Sequence, residues 1–301
     1  MRSVRLPAFA KVNLCLRIIG RRPDGYHELR TIFQTISLHD TLTLSAARAP
    51  AITLECDDPS LPSGRENLVW RAVEVMRREL RFSSGIHAQL AKGIPAGRGM
   101  GGGSSDAAAA LQGMLLLAGR KLPAERLAGI AAGLGADVPF FLCGGRALGI
   151  GRGDEIYPLR DLPRRSVLVV SPRDIAVPTA DAYRWVSRGL KLTKRAAASK
   201  LWRFCALCWS SQGTPLENDF EAAVFLRHPR LAAIKRALLR AGAAEAALAG
   251  SGSAVFGVFL NPAQARRAAR KFPNDQVFVC STLTRAEYCR ARLPRLPAGR
   301  R

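Results

Sequence analysis

The sequence has no apolar run long enough to cross a membrane and no even set of cysteines. Every hydrophobic stretch is shorter than the ~20 residues of a transmembrane helix. The basic N-terminus could begin a secretory signal, but Lys11, Asn13 and Arg17 interrupt the apolar run that export requires. We therefore predict a cytoplasmic protein with no membrane partner. The seven cysteines are scattered from Cys15 to Cys289, which does not indicate a disulfide framework.

Cys205 and Cys208 form a CxxC pair. A zinc site would need a second pair of ligands, and a redox site would need a strand, loop and helix around the pair. Neither context is visible in the sequence. We therefore predict that the cysteines are small core residues in a reducing compartment.

Acidic residues are scarce relative to basic ones. The chain has 46 Lys and Arg but 23 Asp and Glu, a net charge of +23, and the excess is concentrated in residues 184–203 and 285–301. Such a field attracts nucleic acids and nucleotides alike. No recognised nucleic-acid motif accompanies the charge, so we predict a solvated basic face without a nucleic-acid partner. A basic nucleic-acid-binding protein is the alternative from another functional class.

The length and the element pattern indicate two domains. A chain of 301 residues is long for one hydrophobic core. Prolines and charges at 158–165 mark a boundary, which gives domains 1–160 and 161–301. Strand pairs alternate with helices in both halves, and this pattern is typical of two α+β layers rather than one parallel sheet.

The spacing of apolar and polar residues along the chain predicts the main strands and helices. Alternation from Val4 to Ile18 indicates a half-buried strand with Lys11 and Asn13 on its polar side. Pro, Asp and Gly in the segment Arg21–Gly25 predict a turn. The remaining predicted elements are strands 31–44, 86–90, 166–170 and 254–260 and helices 66–80, 106–117, 123–134 and 231–241.

A glycine-rich loop precedes the strongest predicted helix. The segment from Pro95 to Asp106 holds five glycines and two adjacent serines. Bare backbone approaches an oxyanion closely, and the N–H groups and dipole of a helix N-terminus favour negative charge. The loop from Gly97 to Ser105 is therefore predicted to bind the phosphates of a nucleotide.

The common nucleotide-binding motifs do not describe this loop. Gly97–Gly102 matches GxGxxG, but the acid that a dinucleotide fold needs has no counterpart, because Glu125 lies in a predicted helix. No Lys precedes the serines as in a P-loop, and no HRD or DFG set indicates a protein kinase. A flexible linker would not explain the hydroxyls and the helix that follow the glycines.

The segment PAGRGMGGGSSDAAAAL closely resembles the phosphate-binding motif of the GHMP kinases. Lys11–Leu14 resembles the first motif of this superfamily, and Leu248–Phe256 resembles its third motif, a glycine turn beside the phosphate loop. The resemblance implies a two-domain α+β fold with its active site in the cleft between the domains. The N-terminal domain would be ribosomal protein S5 domain 2-like and the C-terminal domain a ferredoxin-like α/β sandwich. It also implies a small-molecule kinase with ATP as co-substrate and Mg²⁺.

Further strings narrow the expected acceptor. Arg22–Leu29 and Gly135–Phe141, supported by Pro178–Thr179 and Glu217–Glu221, resemble the superfamily member that phosphorylates the 2-hydroxyl of a cytidine-diphosphate-linked methylerythritol. Met100, where leucine is commoner, and the basic region 184–209 depart from that member. A mevalonate, homoserine or sugar acceptor is the alternative within the superfamily. The enzyme is expected to be a monomer or a homodimer.

The resemblance implies roles for individual residues. Asp137 would accept the proton of the attacking hydroxyl, although a helix N-cap is the structural alternative. Lys11 would orient the hydroxyl, pair with Asp137 or offset phosphate charge, unless it is only a solvated strand lysine. At the start of the loop helix, Ser104 and Ser105 can donate to the phosphates or help to hold Mg²⁺, and Ser105 is the predicted metal contact. The predicted ATP-binding residues are Asn67 at the nucleoside and Pro95, Ala96, Gly97, Arg98, Gly99, Met100, Gly101, Gly102, Gly103, Ser104 and Ser105.

The binding site for the acceptor is expected to offer an aromatic face and polar groups to the cytosine. Tyr26 and His27 meet that need, and Tyr183 or Trp185 would cover the other face, after Thr179. Core packing is the alternative reading of each aromatic residue. The predicted substrate-binding residues are Asn13, Tyr26, His27, Thr179 and Tyr183.

Overall fold

The computed structural model describes residues 3–189, 201–202, 204–205 and 216–292. Its strands are β1 (Ser3–Arg21), β2 (His27–Ala47), β3 (Ile52–Cys56), β4 (Gly85–Ala91), β5 (Arg146–Gly151), β6 (Glu155–Pro158), β7 (Ser166–Ser171), β8 (Glu217–Asn218), β9 (Glu245–Leu248), β10 (Val255–Phe259) and β11 (Gln276–Ser281). Its helices are α1 (Leu68–Glu79), α2 (Gly102–Ala118), α3 (Ala124–Leu134), α4 (Phe140–Cys143), α5 (Thr179–Gly189), α6 (Glu221–Arg227), α7 (Pro229–Arg240), α8 (Pro262–Ala269) and α9 (Arg285–Ala291).

The first sheet is built on the long antiparallel pair of β1 and β2. Within the described residues its order is β3-β4-β2-β1-β8, while β5 pairs with another part of β2 and β6 pairs with β5. Two helices, α1 and α2, pack together, and α2 also contacts β1 and β2. The buried face of α1 is Val69, Ala72, Val73 and Met76, one stripe of an amphipathic helix. The long strand pair thus forms the base on which the site is assembled.

The second sheet is antiparallel and has the order β11-β7-β10-β9 in the described part of the chain. Helices α7 and α8 pack on it. Strand β8, at Glu217–Asn218, pairs in parallel with Cys15 and Leu16 of β1 instead. The mixed architecture confirms the predicted α+β class. We retain the division at residues 160 and 161 as a proposal, and β8 reaches across it.

An apolar cluster joins the two sheets directly. Ala10, Val12 and Leu14 of β1 pack in one cluster with Val167 and Val169 of β7 and their neighbours. The prediction that β1 is half-buried is therefore wrong, since Lys11 and Asn13 on the other face are also buried. The second half of the chain covers the apolar face of this strand, and the face that carries Lys11 and Asn13 lines a cavity.

The predicted elements are all present, with small changes in their bounds. The starts of β2 and α2 each move by four residues, and α2 begins at Gly102 rather than at the predicted 106 because the end of the glycine loop forms the first helical turn. The turn before β2 is confirmed by the bond from the Arg22 N–H to the Tyr26 carbonyl at 2.8 Å. The basic region 184–209, Cys208 and the chain after residue 292 lie largely or wholly outside the described residues.

Candidate active site

A cavity of about 860 Å³ lies between the two halves of the molecule, and its lining comes from both. Every site residue predicted from the sequence lines this cavity except Ser105. The structure therefore brings together residues that are separated by up to 172 positions in the chain, from Lys11 to Tyr183.

The phosphate loop, residues 95–105, depends on backbone conformations that favour glycine. Gly97, Gly99 and Gly101 have φ of +66°, +81° and +72°, values that L-residues with a Cβ rarely adopt. Gly101 is the N-cap of α2 and leaves the first N–H groups of the helix without a side-chain cap. These free donors and the helix dipole make this part of the cavity wall favourable for an anion.

The third motif packs against this loop by backbone contact. A Cβ on Gly99 would lie 1.9 Å from the Ala249 carbonyl oxygen, and a Cβ on Gly250 would lie 2.7 Å from the Gly99 carbonyl oxygen. Asn218 holds the motif from behind, since its side-chain amide donates to the Leu248 and Gly250 carbonyls at 2.8 and 2.7 Å. The segment Glu217–Glu221 therefore supports the phosphate loop indirectly, because Asn218 holds the glycine turn that packs against the loop.

Arg98 points from the loop toward the second half of the chain. Its guanidinium donates to Ser253 Oγ at 2.8 Å and to the Ile175 carbonyl. The loop is thus fixed to two separate segments of the second half. These bonds occupy much of the donor capacity of Arg98, which was predicted to bind ATP.

Lys11 is buried at the centre of the cavity wall. Its Nζ donates to Asn13 Oδ1 at 2.9 Å and lies 3.4 Å from Asp137 Oδ2. Its backbone N–H bonds the Met100 carbonyl at 3.0 Å, which ties β1 to the phosphate loop. A lysine that is 4% exposed and paired with a carboxylate is not a solvated strand lysine.

Asn13 orients the lysine. Its carbonyl oxygen accepts from Lys11, and its amide donates to Thr31 Oγ1 at 2.7 Å, which in turn donates to the Cys15 carbonyl at 2.8 Å. This chain fixes which end of the Asn13 amide faces the lysine. Asn13 was predicted to bind substrate, and the structure shows its contact with the lysine head.

Asp137 lies on the turn between α3 and α4. The Val138 N–H bonds the Gly135 carbonyl at 3.0 Å, and the N-cap position of α4 is Pro139, which makes no side-chain cap. Asp137 therefore does not cap this helix. Its side chain is one-third exposed, at 33%, and lines the cavity beside Lys11, so a ligand in the cavity can reach the carboxylate.

Ser104 and Ser105 occupy different environments. Ser105 is fully buried and its Oγ has no hydrogen-bond partner in the described structure, whereas Ser104 lines the cavity. Successive residues of a helix are rotated by about 100°, so only one of the two hydroxyls faces the loop ligand. The position of Ser105 does not support the predicted metal contact, and Ser104 is the better-placed hydroxyl.

Aromatic residues gather at the far end of the cavity. His27 stacks on Tyr183, with ring centroids 4.8 Å apart and 22° between the planes, and its Nε2 is 2.7 Å from Ser187 Oγ. Burial, and then the charge of Arg21, lowers the pKa of His27. The ring is therefore neutral at pH 7 and can act as a hydrogen-bonding and stacking group.

The other aromatic residues at this end differ in exposure. Tyr26 is 57% exposed and has the Arg152 guanidinium 5.1 Å from its ring centroid. Trp185 instead packs on His228 and Arg227 and does not line the cavity. Of Tyr183 and Trp185, which the sequence could not separate, only Tyr183 faces the site.

Asn67 lies at the opposite end of the cavity and has a structural task. Its Oδ1 accepts from the Val69 N–H at 2.9 Å as the N-cap of α1, and its amide donates to the Pro62 carbonyl at 2.8 Å. Asn67 lines the cavity beside Leu68. The side chain predicted to contact the nucleoside of ATP is therefore already bonded to the backbone through both of its polar atoms.

A buried acid–base cluster at this end was not predicted. Lys92 Nζ bonds Asp40 Oδ2 and lies 2.8 Å from Asp106 Oδ2, and Asp40 Oδ1 accepts from the Gly93 and Ile94 N–H groups. Burial opposes the charged lysine, but the Asp106 and Asp40 carboxylates raise the pKa of Lys92. Burial and then the charge of Asp40 raise the pKa of Asp106.

This cluster fixes the approach to the phosphate loop. Asp40 holds the backbone just before Pro95, while Lys92 connects it to Asp106 in the first turns of α2. Sequence reasoning missed it because the partners are 52 and 14 positions apart. The available signal was an acid at the start of the loop helix and a lysine just before the loop.

The described part of the chain contains neither a metal-binding cluster nor a membrane-spanning helix. Among residues 3–189, 201–202, 204–205 and 216–292, no group of three or more His, Cys, Asp or Glu side chains could hold a metal ion. In that same part of the chain, no helix is both long and apolar enough to span a bilayer.

Comparisons with known proteins identify the family of the chain. The family model for the GHMP kinases N terminal domain matches residues 67–145, and the model for GHMP kinases C terminal matches residues 201–277. The crystal structure of homoserine kinase from Cytophaga hutchinsonii has a TM-score of 0.75 at 19% identity, covering 94% of this chain and 95% of that one, which shows a shared fold. The chain is a GHMP kinase, a small-molecule kinase with ATP as co-substrate.

Two relatives that cover nearly all of this chain share one name. The 4-diphosphocytidyl-2-C-methyl-D-erythritol kinase of Solibacter usitatus is 48% identical over 95% of this chain and 91% of its own, and that of Geobacter sulfurreducens is 40% identical over 94% and 100%. A crystal structure of 4-(cytidine 5'-diphospho)-2C-methyl-D-erythritol kinase has a TM-score of 0.76 at 34% identity, covering 92% of this chain and 98% of that one. The chain belongs to the 4-diphosphocytidyl-2-C-methyl-D-erythritol kinase family. The resemblance and the two-domain fold predicted from the motifs are confirmed.

Proposed function

We propose that this protein transfers the γ-phosphoryl group of ATP to the 2-hydroxyl of 4-diphosphocytidyl-2-C-methyl-D-erythritol, giving the 2-phosphate and ADP in the non-mevalonate route to isoprenoid precursors. The observation that carries the proposal is the pair of Lys11 and Asp137, 3.4 Å apart, in one cavity. In our proposal the phosphate loop, which Lys11 contacts through the Met100 carbonyl, binds the nucleotide, and the aromatic group around Tyr26 binds the acceptor. The names of the family members supply the acceptor.

Phosphoryl transfer requires alignment and charge neutralisation more than covalent help. In our proposal the N-terminus of α2 and the loop amides hold the β- and γ-phosphates. Asp137 accepts the proton of the 2-hydroxyl as its oxygen bonds to the γ-phosphorus, and the bond to the β-phosphate oxygen breaks to release ADP. Lys11 orients Asp137 and offsets charge on the transferred group.

The residues present fit a magnesium ion carried by the nucleotide. Mg²⁺ in kinases is held by substrate phosphates, waters and one or two protein oxygens, so the absence of a three-residue cluster in the described chain is no obstacle. A Cβ on Gly135 would lie 4.0 Å from Ser104 Oγ, which places this hydroxyl near the Asp137 turn. We propose that Ser104 and Asp137 face the ion, which would neutralise phosphate charge.

We propose that the cytosine stacks on the exposed ring of Tyr26, with His27 and Thr179 among the polar contacts and Tyr183 at the far wall. Base stacking on an aromatic ring contributes about 1–3 kcal/mol. Arg152, which the sequence analysis missed, also lines the cavity, where its guanidinium lies over the Tyr26 ring and pairs with Asp154 at 2.6 Å. We propose that it also contacts the diphosphate that follows the base. Its sequence signal was an arginine between Gly151 and Gly153.

Arg152→Met is expected to raise the KM for the cytidine-diphosphate acceptor by about 10- to 100-fold, the effect of losing a hydrogen bond to a charged group. The KM for ATP and the kcat should change little, since Arg152 is assigned to the acceptor and not to the nucleotide. Steady-state kinetics with each substrate varied measures this. Arg236→Met, at an exposed arginine of α7, is the control, and equal effects of both variants would contradict the assignment.

An acceptor panel tests the proposed reaction itself. The purified protein, ATP and Mg²⁺ are combined with 4-diphosphocytidyl-2-C-methyl-D-erythritol, mevalonate, homoserine or galactose, and ADP release is measured. We expect turnover with the cytidine nucleotide at least about 10²-fold above the others, because a site built to bind the base leaves polar groups unpaired when it is missing. Faster turnover of any other acceptor would overturn the proposed substrate.

A further inference from the structure

The C-terminal helix α9 packs against the segment that follows the proposed base. Its N-terminus is fixed by a capping box between Thr284 and Glu287. A Cβ on Gly144 would lie 2.2 Å from the Tyr288 ring, and a Cβ on Gly145 would lie 2.8 Å from Arg285. The two glycines therefore allow α9 to approach the end of α4 more closely than side chains would permit.

Two buried side chains of this segment converge on one carbonyl. Tyr288 and Arg292 are 1% and 2% exposed, and both donate to the carbonyl oxygen of Phe141, with Arg292 Nη1 at 2.5 Å. Arg292 Nη1 also contacts the Tyr288 hydroxyl. Burial raises the pKa of Tyr288, so its hydroxyl remains a donor at neutral pH.

Burial of the Arg292 guanidinium costs solvation free energy, which the bond to the Phe141 carbonyl partly offsets. It has no ion-pair partner among the described residues, and its Nε and Nη2 have no hydrogen-bond partner there. A buried cation is destabilising unless its surroundings compensate. The last turn of α4 provides partial negative charge from helix carbonyls that have no partner within the helix.

Phe141 connects this contact to the site. Its N–H bonds the Val138 carbonyl at 3.1 Å, one residue after Asp137. Its ring lies under the phosphate loop, because a Cβ on Gly101 would be 2.9 Å from the ring and 3.2 Å from Lys11 Cε. A shift of Phe141 would therefore move the Asp137 turn relative to Lys11 and the loop.

We propose that Tyr288 and Arg292 are positioning residues, which hold the Asp137 turn in register with Lys11 through the Phe141 carbonyl. This inference rests on the proposed role of Asp137 as the base. Both residues lie beyond the segments 67–145 and 201–277 that the family models match. The end of the chain thus completes an active site whose reacting groups lie in its first half.

The test combines single variants with an Asp137→Asn background. Tyr288→Phe and Arg292→Met are each expected to lower kcat by about 10- to 100-fold, as expected when a reacting group is displaced by about 1 Å. The Kd for ATP should stay within about threefold, because the loop amides are unchanged. Arg292→Lys, which retains a donor, should recover part of the lost kcat. Arg290→Met, at an exposed position of the same helix, is the control and should behave as the wild type.

In the Asp137→Asn background, the same substitutions should lower the single-turnover rate by less than about twofold, since the group they position is no longer a base. Equal fold-losses in both backgrounds, or an unchanged kcat in Tyr288→Phe, would overturn the inference. Tyr288→Phe removes one oxygen, so it decides the question even if Arg292→Met does not fold. Full activity of the Asp137→Asn single variant would refute Asp137 as the base. That result is distinguishable from failure of the positioning proposal, because it does not involve Tyr288 or Arg292.

Discussion

Asp137→Asn is expected to lower kcat by about 10²- to 10⁴-fold, the usual contribution of a positioned general base. The amide preserves the shape of the side chain but cannot accept the proton of the acceptor hydroxyl. The Lys11 Nζ would also lose its charged partner at 3.4 Å. The Kd for ATP should change little, because the phosphates are held by the loop and the N-terminus of α2.

The measurement is single-turnover phosphoryl transfer together with an equilibrium titration of ATP. Glu125→Gln is a matched control, since it removes the same charge from an exposed carboxylate in the first turn of α3. That variant should retain wild-type kinetics. If Asp137→Asn turned over at the normal rate, another group would have to receive the proton and the proposed mechanism would be wrong.

Gly99→Ala is expected to disable the phosphate loop. The new methyl group would lie 1.9 Å from the Ala249 carbonyl oxygen, and the backbone φ of +81° adds a further cost of about 1–2 kcal/mol for a residue with a Cβ. Neither contact can be relieved by rotating a side chain, because the obstacle is backbone. The loop must separate from the third motif, and we expect kcat/KM for ATP to fall by at least about 10²-fold.

Gly129→Ala provides the comparison for this variant. Gly129 lies within α3, has no atom within 4 Å of a Cβ, and does not line the cavity. Alanine there should raise stability by about 0.5–1 kcal/mol through helix propensity and leave the kinetics unchanged. Thermal unfolding and ATP kinetics of both variants measure the contrast. Normal ATP kinetics in Gly99→Ala would show that the two glycine turns need not touch.

The local elements near the site were predictable because their signals are local. The amphipathic pattern of α1, the turn before Tyr26 and the glycine run before α2 depend on residues within one or two turns of each other. The start of α2 was misplaced because glycine is a weak helix former, and here the helix begins at Gly102. Its first turn is held by the tertiary contacts of the loop.

Burial of β1 was mispredicted for a different reason. Its period of two separates the faces correctly, but period alone does not reveal what covers the second face. The apolar cluster shared with β7 covers one face. The other face carries Lys11 and Asn13 into the cleft, where a polar residue can be buried because it has Asp137 and Thr31 as partners.

The sequence by itself determined the glycine loop before α2, the order of the three motifs and the family, since each depends on contiguous residues whose backbone needs are local. The tertiary structure alone decided which serine faces the cavity, which aromatic residue of α5 reaches it, and the clusters around Lys92 and Tyr288. These depend on contacts between residues far apart in the chain. Hydrogen bonds and packing of that kind leave no local period or composition, so they become visible only once the two sheets are assembled.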